Sequence, residues 1–290
     1  MRYALLLLLF VAASGSADSF STSGEAQLWL PDVVSTTNSE VRITFSPDGK
    51  RMLWGTIGWS GGVGGWDIFE SVKTASGWSV PRAVQFNSAA NDFDPSFAPQ
   101  GDGVYFFSNR EGGSGKDDIY FAPFDAKTGR YAAAANLGPQ INTAGDEWAP
   151  VVSPDGSRLM FASDGRGGRG KHDLFIARHG AAGWGQVESL DALNGPEEDF
   201  DATFLHDGRS IVFSSGDFDA TVRLYLAQFI DGKFTPRQLL PQSINPVATA
   251  DWAFGPSISL HERGVLYFSS HRGESRGRND IYRIRYQLQH

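Results

Sequence analysis

The stretch Ser153-Pro154-Asp155-Gly156-Ser157-Arg158-Leu159-Met160-Phe161-Ala162-Ser163 holds a four-residue turn, an aromatic seven residues after the proline and a hydroxyl two residues further on. Positions two apart share one face of a strand, so this is a tight turn feeding a strand that shows Phe161 and Ser163 on the same side. The same pattern recurs. Its turns read Ser46-Pro47-Asp48-Gly49, Ala98-Pro99-Gln100-Gly101, Leu205-His206-Asp207-Gly208 and Leu260-His261-Glu262-Arg263. From Pro47 through Pro99, Pro154 and His206 to His261 the spacings are 52, 55, 52 and 55 residues, a period that suits one four-stranded unit. The aromatics are Trp54, Phe106, Phe161, Phe213 and Phe268, and the hydroxyls are Thr56, Ser108, Ser163, Ser215 and Ser270.

Other landmarks move with the turn. An acidic-apolar-aromatic triplet stands at Asp67-Ile68-Phe69, Asp118-Ile119-Tyr120, Asp173-Leu174-Phe175 and Asp280-Ile281-Tyr282, and becomes Arg223-Leu224-Tyr225 in the fourth copy. It marks a third strand. Glycine-rich links such as Gly112-Gly113-Ser114-Gly115 precede it and read as hairpin loops. Aromatics after glycine at Gly77-Trp78, Gly183-Trp184 and Gly232-Lys233-Phe234 begin a fourth strand. The fifth copy has no room for one before His290, and residues 26–30 are expected to supply it. The fold predicted is therefore all-β: a five-bladed β-propeller of four-stranded antiparallel blades, closed by an N-terminal strand that completes the last blade.

Composition narrows the setting. Met1-Arg2-Tyr3, the apolar run from Ala4 to Ala13 and the small residues Gly15-Ser16-Ala17 read as a signal peptide over 1–17, with 18–290 as a single propeller domain. The apolar run is too short to cross about 30 Å of hydrocarbon. A periplasmic or secreted location is expected. Cysteine is absent, which excludes lipid attachment, disulfides and thiolate metal sites. With 33 acidic against 25 basic residues the net charge is -8, which repels a nucleic-acid backbone.

The linked motifs resemble those of the TolB-type periplasmic β-propeller family, with its WD-like, Pro-Asp-Gly repeats, over nearly all of the chain after residue 17. The resemblance implies a binding platform in the cell envelope. Five copies stand where TolB has six blades, and its N-terminal α/β domain has no counterpart, so a role in the Tol-Pal system does not carry over. No Gly-x-Ser-x-Gly elbow accompanies the repeats, which disfavours a serine peptidase.

Near the start of each first strand the sequence places a carboxylate, Glu40, Asp92, Glu147, Asp199 and Asp251, preceded in four copies by Asn87, Asn142, Asn194 and Asn245. Two readings are open. The acids converge at one mouth of the central channel and bind Ca²⁺ or a cationic or polar ligand, or each accepts backbone N–H bonds from a neighbouring blade and repeats because the blade repeats. No cofactor is required by either. Strand order puts them on one face with Asn109, Arg110, Asp164, Arg166, His271 and Arg272, which follow the second strands. That mixed-charge loop face is the candidate binding site.

Gly165 to Lys171 approaches a phosphate-binding loop, but His172 replaces its Ser or Thr and the context is a hairpin. The histidines lack catalytic-zinc spacing. Trp66, Trp78, Trp148, Trp184 and Trp252 recur with the repeat and read mostly as packing, with Trp148 and Trp252 as candidates for sugar stacking. The leading expectation is a non-enzymatic envelope protein engaging a protein or glycan partner. The alternative is a glycoside hydrolase using channel-mouth carboxylates.

Overall fold

The computed structural model describes residues 19–248 and 251–289. The expected signal peptide lies outside the described residues. Every regular element within them is a β-strand. No helix there is long and apolar enough to cross a membrane.

The strands form five antiparallel sheets. Blade one is built on Ser39–Phe45, Arg51–Ile57 and Trp66–Thr74, blade two on Asp92–Phe97, Gly103–Ser108 and Asp118–Asp125, and blade three on Glu147–Val152, Arg158–Ser163, Asp173–Gly180 and Gly183–Ser189. Blade four uses Glu198–Phe204, Ser210–Asp217 and Thr221–Ile230. Two-residue pieces such as Gly77–Trp78, Arg130–Tyr131 and Lys233–Phe234 complete the outer edges of blades one, two and four. Blade five takes Trp252–Ser259, Glu262–His271 and Asp280–Gln289 from the end of the chain and Ser19–Leu28 from its beginning. The closing strand is longer than residues 26–30. It pairs from Ser19 opposite Gln289 to Leu28 opposite Tyr282, and Phe20 stacks on Tyr286 at 5.2 Å between ring centroids.

The repeated residues make the blade for local reasons. In the turn, Ser46 Oγ donates to Asp48 Oδ1 at 2.6 Å and accepts from Arg51 N at 2.9 Å, while Gly49 takes the left-handed φ of +67° that the turn requires. Trp54, Phe106, Phe161, Phe213 and Phe268 are buried, and in blades two to five each stacks on the third-strand aromatic opposite, as Phe106 does on Tyr120 at 5.9 Å. Trp54, Phe106, Phe161 and Phe268 anchor separate apolar clusters where neighbouring blades meet, and Phe213 joins a cluster that also takes in Phe93, Phe107 and Phe254 of other blades.

The acid of each third-strand triplet caps its glycine loop. Asp67 accepts from Val63 N at 3.0 Å, Asp173 from Arg169 N at 2.8 Å and Asp280 from Arg276 N at 2.6 Å. In blade four the loop has contracted to a short turn ending at Thr221, leaving nothing to cap. Arg223 there donates to the carbonyls of Asp251 and Ala248 instead.

The asparagines bind the blades to the links between them. Asn142 Nδ2 donates to the Ile119 carbonyl at 3.0 Å and its Oδ1 accepts from Ile119 N at 2.8 Å, so the amide substitutes for a peptide unit of a neighbouring strand. Asn87, Asn194 and Asn245 do the same at Ile68, Leu174 and Leu224, and Ser35 does so at Ile281 in blade five. Asn142→Ala is expected to cost about 1–3 kcal/mol in urea unfolding, because it strands a buried donor and acceptor. A loss under about 0.5 kcal/mol would show that water takes the amide's place.

Candidate functional site

The repeated carboxylates are consumed inside their own blades. Glu40, Asp92, Glu147 and Asp199 are fully buried. Glu40 accepts from Thr36 N at 3.0 Å and Thr36 Oγ1 at 2.6 Å, Asp92 from Ser88 N at 2.5 Å, Glu147 from Thr143 N at 2.7 Å and Ser163 Oγ at 2.7 Å, and Asp199 from Gly195 N at 2.5 Å. The backbone donor lies four residues upstream in the same link, not in a neighbouring blade. Each acid pairs in register with a second-strand hydroxyl residue, Thr56, Ser108, Ser163 or Ser215. In blade five the residue opposite Ser270 is Ala253, so Asp251 falls two positions early and stands half-buried. Burial, opposed by the Thr36 hydrogen bonds, pushes the Glu40 carboxyl up to about 7. Glu147 and Asp199 are raised for the same reason.

The loop-face residues are tied down as well. Arg110 pairs with Asp92 and donates to the Phe86 carbonyl, Arg166 donates to the Gln140 and Ile141 carbonyls, and Arg272 to those of Ser243 and Ile244. Each lies over the second-strand phenylalanine of its blade, a repeated clamp on the incoming link. Asn109 Oδ1 accepts from Asn91 N and Asp164 Oδ1 from Asp146 N. His271 is exposed.

The axis belongs to residues further along the first strands. Every innermost strand carries a β-bulge, and its bulged residue has a left-handed φ: Arg42 at 49°, Asp94 at 49°, Ala149 at 52°, Asp201 at 45° and Gly255 at 58°. Four of the five are not glycine, and the repeat is broken at this level. Arg42 reaches from blade one to Asp201 Oδ1 in blade four at 3.2 Å and to the Ala202 carbonyl at 3.2 Å, with both charged side chains almost wholly buried. Asp94 lies within hydrogen-bonding reach of Asp201 and is held well above the usual carboxylate range, first by burial and then by the Asp201 charge, with Arg42 pulling the other way. Burial raises Asp201 as well, with the Arg42 charge and hydrogen bond pulling it back down, so the two acids form one coupled site in which a second negative charge is disfavoured. Asp94 Oδ1 has no hydrogen-bond partner.

This Arg42–Asp201–Asp94 belt divides the channel. On the side of the Pro-Asp-Gly turns is a cavity of about 50 Å³ that Pro47, Pro99 and Pro154 help to line. On the side of the glycine loops is a funnel of about 450 Å³ walled by Trp66, Phe93, Phe107, Trp148, Phe200, Phe218, Trp252 and Phe254, with Asp94 and Asp201 among its lining. Successive rings are in contact, Trp66 with Phe93 at 4.9 Å, Phe107 with Trp148 at 6.3 Å and Phe218 with Trp252 at 6.0 Å. Trp148 and Trp252, singled out for sugar stacking, both face the funnel, as does Trp66. Trp184 lies on the outer strand of blade three, hydrogen-bonded to Tyr105.

Reading the repeats did not find Arg42, Asp94 and Asp201. Their signal was the mismatch among aligned copies two residues after the carboxylate.

No family model matches the sequence, and no curated protein matches it. Solved structures do. TolB from Acinetobacter baumannii is similar with a TM-score of 0.50 and 15% identity over 87% of this chain, which spans 56% of that one. A structure described as a glycoside hydrolase gives a TM-score of 0.56 at 11% identity over 91% of each chain. An α-L-arabinofuranosidase from Podospora anserina, in complex with cellotriose, gives 0.50 at 11% identity over 94% of this chain and 98% of that one. The chain shares a fold with all three. The TolB-type resemblance is thus matched as architecture, and at these identities the likeness extends no further.

Proposed function

We propose that this protein binds a neutral glycan in the central funnel and does not hydrolyse it. The observation that carries this reading is the aromatic wall, contributed by all five blades, above a floor whose charges balance. Arg42 is paired with Asp201 and burial disfavours charge on Asp94, so the floor offers hydrogen-bonding atoms rather than a strong net charge. Aromatic faces with a few convergent polar groups suit the alternating apolar and hydroxylated surfaces of sugar rings. The volume falls in the usual range for a small-molecule pocket. Hydrolysis is disfavoured because Asp201 is engaged by the Arg42 guanidinium at 3.2 Å and both acids are buried beneath the aromatic wall, which leaves no free pair of carboxyls to flank a glycosidic bond. That solved propellers include an arabinofuranosidase holding cellotriose supports the fold's capacity for such ligands. Export to the cell envelope, expected from residues 1–17, belongs to the same proposal.

Tryptophan fluorescence titration against neutral oligosaccharides tests it. Saturable binding is expected, weakened about tenfold or more by Trp252→Ala or Trp148→Ala and unchanged by Trp184→Ala. Release of reducing ends that Asp94→Asn abolishes would make the protein a hydrolase. No binding by any sugar, with capture of an envelope protein through the loop face instead, would return the reading to a protein platform.

A further inference from the structure

A second constellation lies in blade three, behind the funnel wall. His172 immediately precedes the third strand, Asp173–Gly180, and its side chain is more than nine-tenths buried. Its ring stacks on Trp148 with centroids 3.8 Å apart, and its Nδ1 is 2.6 Å from Glu198 Oε2. A carboxylate can only accept, so Nδ1 carries a proton, and in the neutral imidazole the lone pair is then on Nε2. That Nε2 is buried and has no hydrogen-bond partner. With Nδ1 taken, Nε2 is the nitrogen left to meet Asp146 and Asp164, whose carboxylate oxygens and the imidazole nitrogen lie within 4.8 Å of one another. Lys116 Nζ donates to Asp146 Oδ2 at 3.2 Å and to Asp164 Oδ2 at 3.3 Å from a side chain 65% exposed, so a cation already sits between the two acids on an arm free to swing away.

We infer that Asp146, Asp164 and His172 bind a divalent transition-metal ion of the Zn²⁺, Co²⁺ or Mn²⁺ class. Two carboxylates and a neutral imidazole suit such ions better than Ca²⁺, which prefers oxygen alone. Glu198 supplies the outer hydrogen bond that fixes the tautomer and orients the ring, as carboxylates do behind metal-bound histidines. Ligand atoms about 2 Å from a metal stand roughly 3.3 Å from one another, so closing three atoms that lie within 4.8 Å of each other takes a modest contraction once the ammonium leaves. Three protein ligands leave further positions for water. The repeat sharpens the assignment, because the corresponding residues are Ser39, Ile57 and Trp66 in blade one, Glu198, Gly216 and Val222 in blade four, and Trp252, His271 and Asn279 in blade five. Among these only blade three brings two carboxylates to an imidazole. The inference is independent of the funnel's ligand.

Protein stripped with EDTA is titrated with Co²⁺ and Zn²⁺, following the visible d–d bands of Co²⁺ and the heat of Zn²⁺ binding. One equivalent is expected to bind. His172→Gln and Asp164→Asn should each weaken it about tenfold or more, and Lys116→Met should tighten it about 3- to 10-fold by removing the competing ammonium. The lysine variant keeps the test valid if the histidine variant fails to fold. Binding that ignores both His172→Gln and Lys116→Met, binding of Ca²⁺ but not Co²⁺ or Zn²⁺, or no binding below millimolar concentration overturns the assignment.

Discussion

Arg42→Ala is expected to remove about 3–5 kcal/mol of stability, read as a lower urea midpoint, although Arg42 belongs to no repeated motif. The guanidinium favours the charged form of Asp201 against the burial that raises its carboxyl, in a site almost closed to water. It also donates to the Ala202 and Pro150 carbonyls, so truncation strands the charge and the carbonyls together. Removing both charges should separate these effects. In Arg42→Met with Asp201→Asn no buried charge is orphaned, and most of the loss should be recovered, since an apolar replacement for a buried pair is often neutral. A single variant within about 1 kcal/mol of the parent would show that the belt is hydrated and that the floor proposed for the funnel is wrong.

Stability should also fall as pH rises from mildly acidic to neutral. Glu40 ionises near 4.5 when unfolded and near 7 when folded. A raised carboxyl contributes stability that is fully present below its unfolded value and is lost as pH climbs through its folded one. For Glu40 that loss amounts to about 3 kcal/mol between pH 4.5 and somewhat above 7. Glu147 and Asp199 push in the same direction. The turn acids work oppositely. Asp155, lowered to about 2 by Ser153 Oγ, contributes stability above its ordinary 3.8 that disappears as pH falls toward 2. Urea midpoints should therefore peak near pH 4–5, and Glu40→Gln should flatten the decline between pH 5 and 8. An unchanged decline in that variant would mean that the link through Thr36 opens to let water reach the carboxylate.

Blade number, strand order and the closing strand were legible because each copy repeats them in residues whose local role is strong: a serine and glycine that make the turn, an aromatic that fills the gap between blades, an acid that caps the loop. What faces the axis was not. A bulge inserts one residue and breaks the alternation of faces, so reasoning by twos from Glu40 or Asp92 places Arg42 and Asp94 beside the acids, although their left-handed backbone redirects them. Blade five misled in a second way, since its offset from the turn hid that Ala253, not Asp251, answers to the other carboxylates. Conspicuous repetition marked the residues that hold the ring together. The candidate sites lie where copies disagree, at Arg42, Asp94 and Asp201 on the axis and at Asp146, Asp164 and His172 beside it.

The pairing of Ser19–Leu28 with Asp280–Gln289 has a kinetic meaning. Residues such as Ser19 and Gln289, 270 apart in sequence, meet only when blade five is completed, whereas the other blades form from strands near one another in the chain. The entropy of closing so long a loop grows only logarithmically, so the seam need not be weak at equilibrium. It is nonetheless the contact of longest range, and such contacts set the pace of folding. Until it forms, Asp280–Gln289 offers an unpaired edge on which the same strand of another copy could dock. The ring is thus stable as a circle but slow as a latch, and strand exchange between copies during folding is the failure to which this architecture is most open.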